Sequence, residues 1–99
     1  MAVARPMKES TLVRRILREL NTAPRTKAIK IYGNAYGSAG EPDIIGAANG
    51  RMFAIEAKVG AGKPTKLQEF RLEQWEAAGA RVAVATEEFD VGRFLASCR

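Results

Sequence analysis

Asp43 and Glu56 lie at equal distances from an Asn49-Gly50 pair, and Lys58 follows Glu56 by two residues. Asn-Gly between two apolar runs favours a two-residue type I′ hairpin, because both central positions of that turn need positive φ. Closed there, the hairpin sets Ala48 opposite Arg51, Gly46 opposite Phe53, Ile44 opposite Ile55 and Asp43 opposite Glu56. Directly opposed side chains have Cβ atoms about 4.5–5.5 Å apart, and like charges placed that way destabilise a sheet. A cation between the two carboxylates removes the conflict, so the pattern points to a metal-dependent site.

Alternation along Met52–Val59 puts Phe53, Ile55, Ala57 and Val59 on one face and Met52, Ala54, Glu56 and Lys58 on the other. Glu56 and Lys58 therefore project together from a largely apolar strand. The bland alternative is a solvated Glu–Lys pair of little energetic weight. The chain contains no histidine, which excludes His-based catalysis and the usual zinc ligands. Oxygen ligands alone favour Mg²⁺ or Mn²⁺.

The elements that must hold these residues are readable in outline. Leu12, Val13, Ile16, Leu17 and Leu20 recur at helical spacing within Met7–Leu20. Glu9 continues that buried face; its other role is simply to favour a helix N-terminus electrostatically. Thr26–Tyr32 reads as a strand, and residues 33–40 form a glycine-rich loop without the lysine and following helix of a nucleotide-binding P-loop. Thr65 is a suitable N-cap for a helix running to about Ala78, with Leu67, Phe70, Trp75 and Ala78 as most of its inner face and Gly79 as its stop. Arg81–Thr86 is a short strand with Val82 and Val84 alternating, and a last short helix carries Phe89, Phe94 and Leu95. The order α-β-β-β-α-β-α predicts an α/β domain on a mixed sheet flanked by helices. The helix between the Glu56 and Val82 strands would then be a crossover between parallel neighbours.

Composition narrows the classes further. Ninety-nine residues with 46% hydrophobic and 27% charged side chains suit one globular domain spanning 1–99. No apolar run approaches a membrane span, and the single cysteine, Cys98, is compatible with a reducing cytoplasm. The net charge of +5 is concentrated: residues 1–30 hold eight Lys/Arg against Glu9 and Glu19, whereas the rest is close to neutral. Such a segment suits phosphate backbones, or else serves as a solvated helix face.

Gly40-Glu41-Pro42-Asp43-Ile44-Ile45-Gly46 followed by Ile55-Glu56-Ala57-Lys58 resembles the PD-(D/E)XK nuclease superfamily. With an early helix glutamate, Gly62-Lys63-Pro64-Thr65, Gln68 and Ala78-Gly79-Ala80, the chain from about Glu9 to Leu95 is similar to its VRR-NUC branch. The resemblance implies a restriction-endonuclease-like core and Mg²⁺- or Mn²⁺-dependent phosphodiester cleavage of DNA. Stand-alone members of the branch resemble bacteriophage-type proteins that act as homodimers on four-way (Holliday) junctions, in the cytoplasm of a bacterial or phage-infected cell, without a nucleotide cofactor. It further implies that Asp43 and Glu56 bind metal with the Ala57 backbone carbonyl, that Glu9 completes the shell, and that Lys58 orients or deprotonates water. Gln68 matches a polar helix residue near the site, or is an exposed helical glutamine. Glu41 would face Lys58 only if pairing continued past Pro42, which cannot donate to the ladder. Lys8, Arg14, Arg15, Lys30, Lys63 and Lys66, with Tyr36 in the glycine-rich loop, are the candidate DNA contacts. Two alternatives remain: cleavage of flap, nicked or linear DNA, and a non-catalytic DNA-binding module.

Overall fold

The computed structural model describes residues 7–32 and 39–98. Tyr36, a candidate DNA contact, lies outside them. The elements are α1 (Glu9–Thr22), β1 (Thr26–Lys30), β2 (Ile44–Ala48), β3 (Arg51–Ala57), α2 (Lys66–Ala77), β4 (Arg81–Ala85) and α3 (Val91–Ala96). This is the expected α-β-β-β-α-β-α order. The strands form one sheet in the order β1-β2-β3-β4; β1–β2 and β2–β3 are antiparallel and β3–β4 is parallel. The sheet is therefore mixed, and α2 is the crossover between its parallel strands.

The hairpin register is the one the Asn-Gly pair predicts, running from Ala48↔Arg51 to Ile44↔Ile55. Asn49 and Gly50 both have positive φ, 53° and 80°. Arg25 braces the turn, its carbonyl accepting from Asn49 N–H and its Nε donating to Asn49 Oδ1, each at 3.0 Å. Gly46 is required by the packing: a Cβ there would collide with the Lys27 carbonyl and come within 2.7 Å of Phe53 Cζ. The missing side chain lets the Phe53 ring lie over β2.

α1 packs Leu12, Val13, Ile16 and Leu20 onto Ala28, Ile44, Ala48, Phe53, Ile55, Ala57 and Ala85, joined by Val91, Phe94 and Cys98 from the α3 region. Phe53 and Phe94 meet edge to face with centroids 5.6 Å apart. The Asn21 side chain locks the end of α1 to β1 by bonding both the N–H and the carbonyl of Ala28, at 2.9 and 3.0 Å.

One expectation about an inward face needs correction, and two strands turn their larger apolar side chains outward. On α2 the buried or half-buried side is Gln68, Arg71, Leu72 and Trp75, whereas Leu67, Phe70 and Ala78 are exposed. Apolar residues are scattered round this helix, so no single stripe identified its inner side. On β4 it is Ala83 and Ala85 that meet the α1 core, while Val84 is 44% exposed. Both alternations of Arg81–Ala85 are apolar, so periodicity could not choose between them. On β1 the buried residue is Ala28, and Ile29 is exposed. It stands on the uncovered face of β1 and β2 beside Ile45, Ala47 and Met52.

Candidate metal centre

The hairpin carries Asp43 to the mouth of β2 and Glu56 to the end of β3. Pro42 is fully buried, and the Asp43 carbonyl accepts from Ile31 N–H at 2.8 Å, tying this residue to the chain leaving β1. Asp43 Oδ2 accepts the Ala57 N–H at 2.8 Å, which aims the carboxylate across the ladder toward β3. Beyond Glu56 the ladder continues for one more bond, Lys58 N–H to the Ala85 carbonyl at 2.9 Å. Lys58 therefore stays in extended backbone and emerges on the Glu56 face.

α1 completes the arrangement from its first turn. Carboxylate oxygens of Glu9, Asp43 and Glu56 all lie within 4.8 Å of one another. Glu9 and Asp43 are half-buried, and Glu56 is only 1% exposed. Glu56 Oε2 is buried without any hydrogen-bond partner. A buried carboxylate oxygen without a donor is costly unless a cation or a proton meets it. In the protein alone it is a proton: burial pushes the Glu56 carboxyl from the ordinary 4.5 up to about 9. The hydrogen bond and negative charge of Asp43 act in the same direction, as does Glu9, and the Lys58 ammonium offsets part of it. With Glu56 ionised, three carboxylates against one ammonium leave the cluster two positive charges short. The donor set fits a divalent cation, since an octahedral shell with bonds of about 2.1 Å places its oxygens about 3–4 Å apart, within reach of these three side chains.

The remaining candidates fall into different surroundings. Gln68 lies on the inner side of the first turn of α2, and its Oε1 accepts the Thr65 N–H at 2.9 Å while Thr65 Oγ1 accepts the Gln68 N–H at 3.1 Å. This capping box occupies the amide oxygen and leaves the amide nitrogen for other partners. Glu41 does not face Lys58; its Oε1 accepts from Trp75 Nε1 at 3.2 Å, which fixes the approach to Asp43 against α2. Arg71 adds a second tie, Nε to the Ala39 carbonyl at 3.1 Å. Arg15 is bound within the protein, in an ion pair with Glu19 at 2.9 Å and a bond to the Glu87 carbonyl at 3.1 Å. Lys30 Nζ stands 5.1 Å from the centroid of the Tyr32 ring. Lys8, Arg14, Lys63 and Lys66 are exposed.

The Trp75–Glu41 and Arg15–Glu87 bonds join residues more than thirty positions apart, and no local pattern announces them. The Asp43–Ala57 bond was within reach of the hairpin register, which places those residues diagonally.

No protein-family model matches the chain, and no curated protein matches it. Among solved structures, the chain is similar to Hjc, a Holliday junction resolvase from the archaeal hyperthermophile Archaeoglobus fulgidus, with a TM-score of 0.56 and 23% identity. The likeness covers 79% of this chain and 68% of that one. The two proteins share a fold: a mixed four-stranded sheet flanked by helices, with the three carboxylates of this chain at one end of its central hairpin.

Proposed function

We propose that this protein is a divalent-metal-dependent endodeoxyribonuclease of the PD-(D/E)XK type, in its VRR-NUC branch, with residues 1–99 forming a single nuclease domain. Its substrate is branched DNA, foremost the four-way junction, and it acts in the cytoplasm as a homodimer. One observation carries the reading: a buried carboxylate oxygen of Glu56 has no partner inside a cluster of three acids, with Lys58 two residues on along the same strand. The fold shared with a Holliday junction resolvase supports the choice of substrate. The exposed Ile29 and Ala47, with the half-buried Ile45 and Met52 beside them, supply a surface of the kind that two copies cover when they pair.

Asp43, Glu56 and Glu9, with the Ala57 carbonyl, are the residues that would hold Mg²⁺ or Mn²⁺. Such an ion, when bound, polarises a phosphate and lowers the pKa of water. Lys58 places an ammonium beside the reacting phosphate, where it orients the attacking water and offsets the charge that develops on the phosphate oxygens. Gln68, held by its cap, presents its amide nitrogen from the start of α2. The Glu41–Trp75 and Arg71–Ala39 ties keep the segment before Asp43 in place, so that the acid meets its partners without a reorganisation cost. Exposed basic groups, Lys8, Arg14, Lys63 and Lys66, hold the DNA backbone by charge.

The test is a cleavage panel over four-way junctions, flaps, single strands and linear duplex with Mg²⁺ or Mn²⁺. The protein is expected to cut the junction, and Asp43→Asn to lose cleavage by at least about a hundredfold while still binding DNA. Undiminished cleavage by Asp43→Asn overturns the assignment of the centre. Binding without product at any metal concentration makes the protein a DNA-binding module instead.

A further inference from the structure

Eight basic side chains precede residue 31, but the fold does not leave them equivalent. On α1, Arg15 is taken up by Glu19 and by carbonyls of the β4–α3 connection. Arg14 and Arg18 are exposed and make no hydrogen bond or ion pair among the described residues. The two acids of the helix are both engaged elsewhere, Glu19 with Arg15 and Glu9 in the carboxylate cluster. Arg14 and Arg18 therefore form a stripe of uncompensated positive charge along a groove of about 350 Å³ that Met7, Thr11 and Arg15 also line.

Where this stripe lies is the decisive point. At 3.6 residues per turn, its axis is about 160° around α1 from Glu9, and its two arginines stand about 8–14 Å further along the helix. Glu9 faces the sheet and the other carboxylates, whereas Arg14 and Arg18 face solvent on the opposite side. A straight duplex with one phosphate at the carboxylate cluster cannot also run along the outer side of the same helix. A substrate that diverges into two arms can.

We infer that Arg14 and Arg18 form a second DNA-backbone site on the outer face of α1, which engages an arm of branched DNA other than the one placed at the carboxylates. The inference rests on the nuclease reading for what occupies the first site, but binding alone tests it. A straight duplex occupies one surface at a time, and a junction occupies both, so the protein selects branched over linear DNA by holding two arms at once.

The experiment measures binding in EDTA of an immobile four-way junction and of the linear duplex made from one of its strands, for the intact protein, R14Q/R18Q and R14K/R18K. The intact protein is expected to prefer the junction, and R14Q/R18Q to bring that preference close to one. Each lost phosphate contact lowers the salt slope by about 0.9, so the double variant should flatten the junction's log–log slope by about 1.8 for each protomer bound. Across a fourfold salt change, that amounts to roughly ten-fold less loss of affinity per protomer. R14K/R18K keeps the charge and should keep the preference and the slope. An unchanged preference in R14Q/R18Q, with its thermal transition intact, overturns the inference, as does an intact protein with no preference. Failure of the nuclease reading shows separately, as absence of product with Mg²⁺ while the junction preference persists.

Discussion

Glu56 decides more than any other residue. Among the described residues it is the buried charged side chain of the core, its Oε2 has no donor, and two further carboxyls crowd it. Its carboxyl is held protonated up to about 9 when the protein stands alone, against 4.5 in the unfolded chain. A proton bound more tightly in the folded state stabilises it fully below about 4.5, and that stabilisation is lost as pH rises through about 9. The metal-free protein should therefore show a falling Tm between pH 5 and pH 9, followed by circular dichroism, and Glu56→Gln should flatten the trend. At pH 8 in EDTA, Glu56→Gln should melt higher than the parent by roughly 4–8 °C, the equivalent of about 1 kcal/mol. It should at the same time lose cleavage, because the neutral amide no longer attracts a cation. A lower Tm for Glu56→Gln would mean that the acid is structural. Below about pH 9, cation binding must displace the Glu56 proton, so apparent affinity should rise with pH and binding should release protons to the buffer.

At the scale of elements, the hairpin β2–β3 sets the site and two local devices set the hairpin. One is the Asn49-Gly50 turn; the other is Gly46, where any Cβ meets β1 backbone and the Phe53 ring. Gly46→Ala should cost about 2–3 kcal/mol of stability, read from urea midpoints, because backbone on one side and a buried ring on the other cannot both retreat. A cost below about 0.5 kcal/mol would show that the strands shift freely. The turn was legible in the sequence because its chemistry is local: two positive φ angles demand Asn-Gly, and the register then follows by counting. The meeting of Asp43 with Glu56 came from that counting, and the inward face of Glu9 from the spacing of Leu12, Val13 and Ile16. The inner side of α2 was illegible because Leu67, Phe70, Leu72 and Trp75 point in several directions, and packing rather than periodicity chose Leu72. On β4 the larger apolar side chains, Val82 and Val84, are not the ones that meet the core, since alanines at 83 and 85 are what fit beneath α1 and α3.

At the scale of the molecule, charge and chemistry are separated by one helix. α1 turns Glu9 toward the sheet and Arg14 and Arg18 toward solvent, while Arg15 fastens the helix to the β4–α3 connection. Composition showed the positive segment, but which of its arginines remain available depends on contacts with Glu87 and Phe89 far along the chain. The uncovered apolar strip on β1 and β2 belongs to the same face as Asp43 and Glu56, so two paired copies would carry two carboxylate clusters in one assembly. The central claim is that Glu9, Asp43 and Glu56 together hold a divalent cation. A crystal of the protein soaked in MnCl₂ and measured at the manganese edge tests it most directly. The expected result is an anomalous peak within about 2.0–2.3 Å of oxygens from all three side chains, with Glu56 Oε2 among them. A fully soaked crystal with no peak there, or with manganese bound only at surface acids such as Glu73 or Glu76, would contradict it.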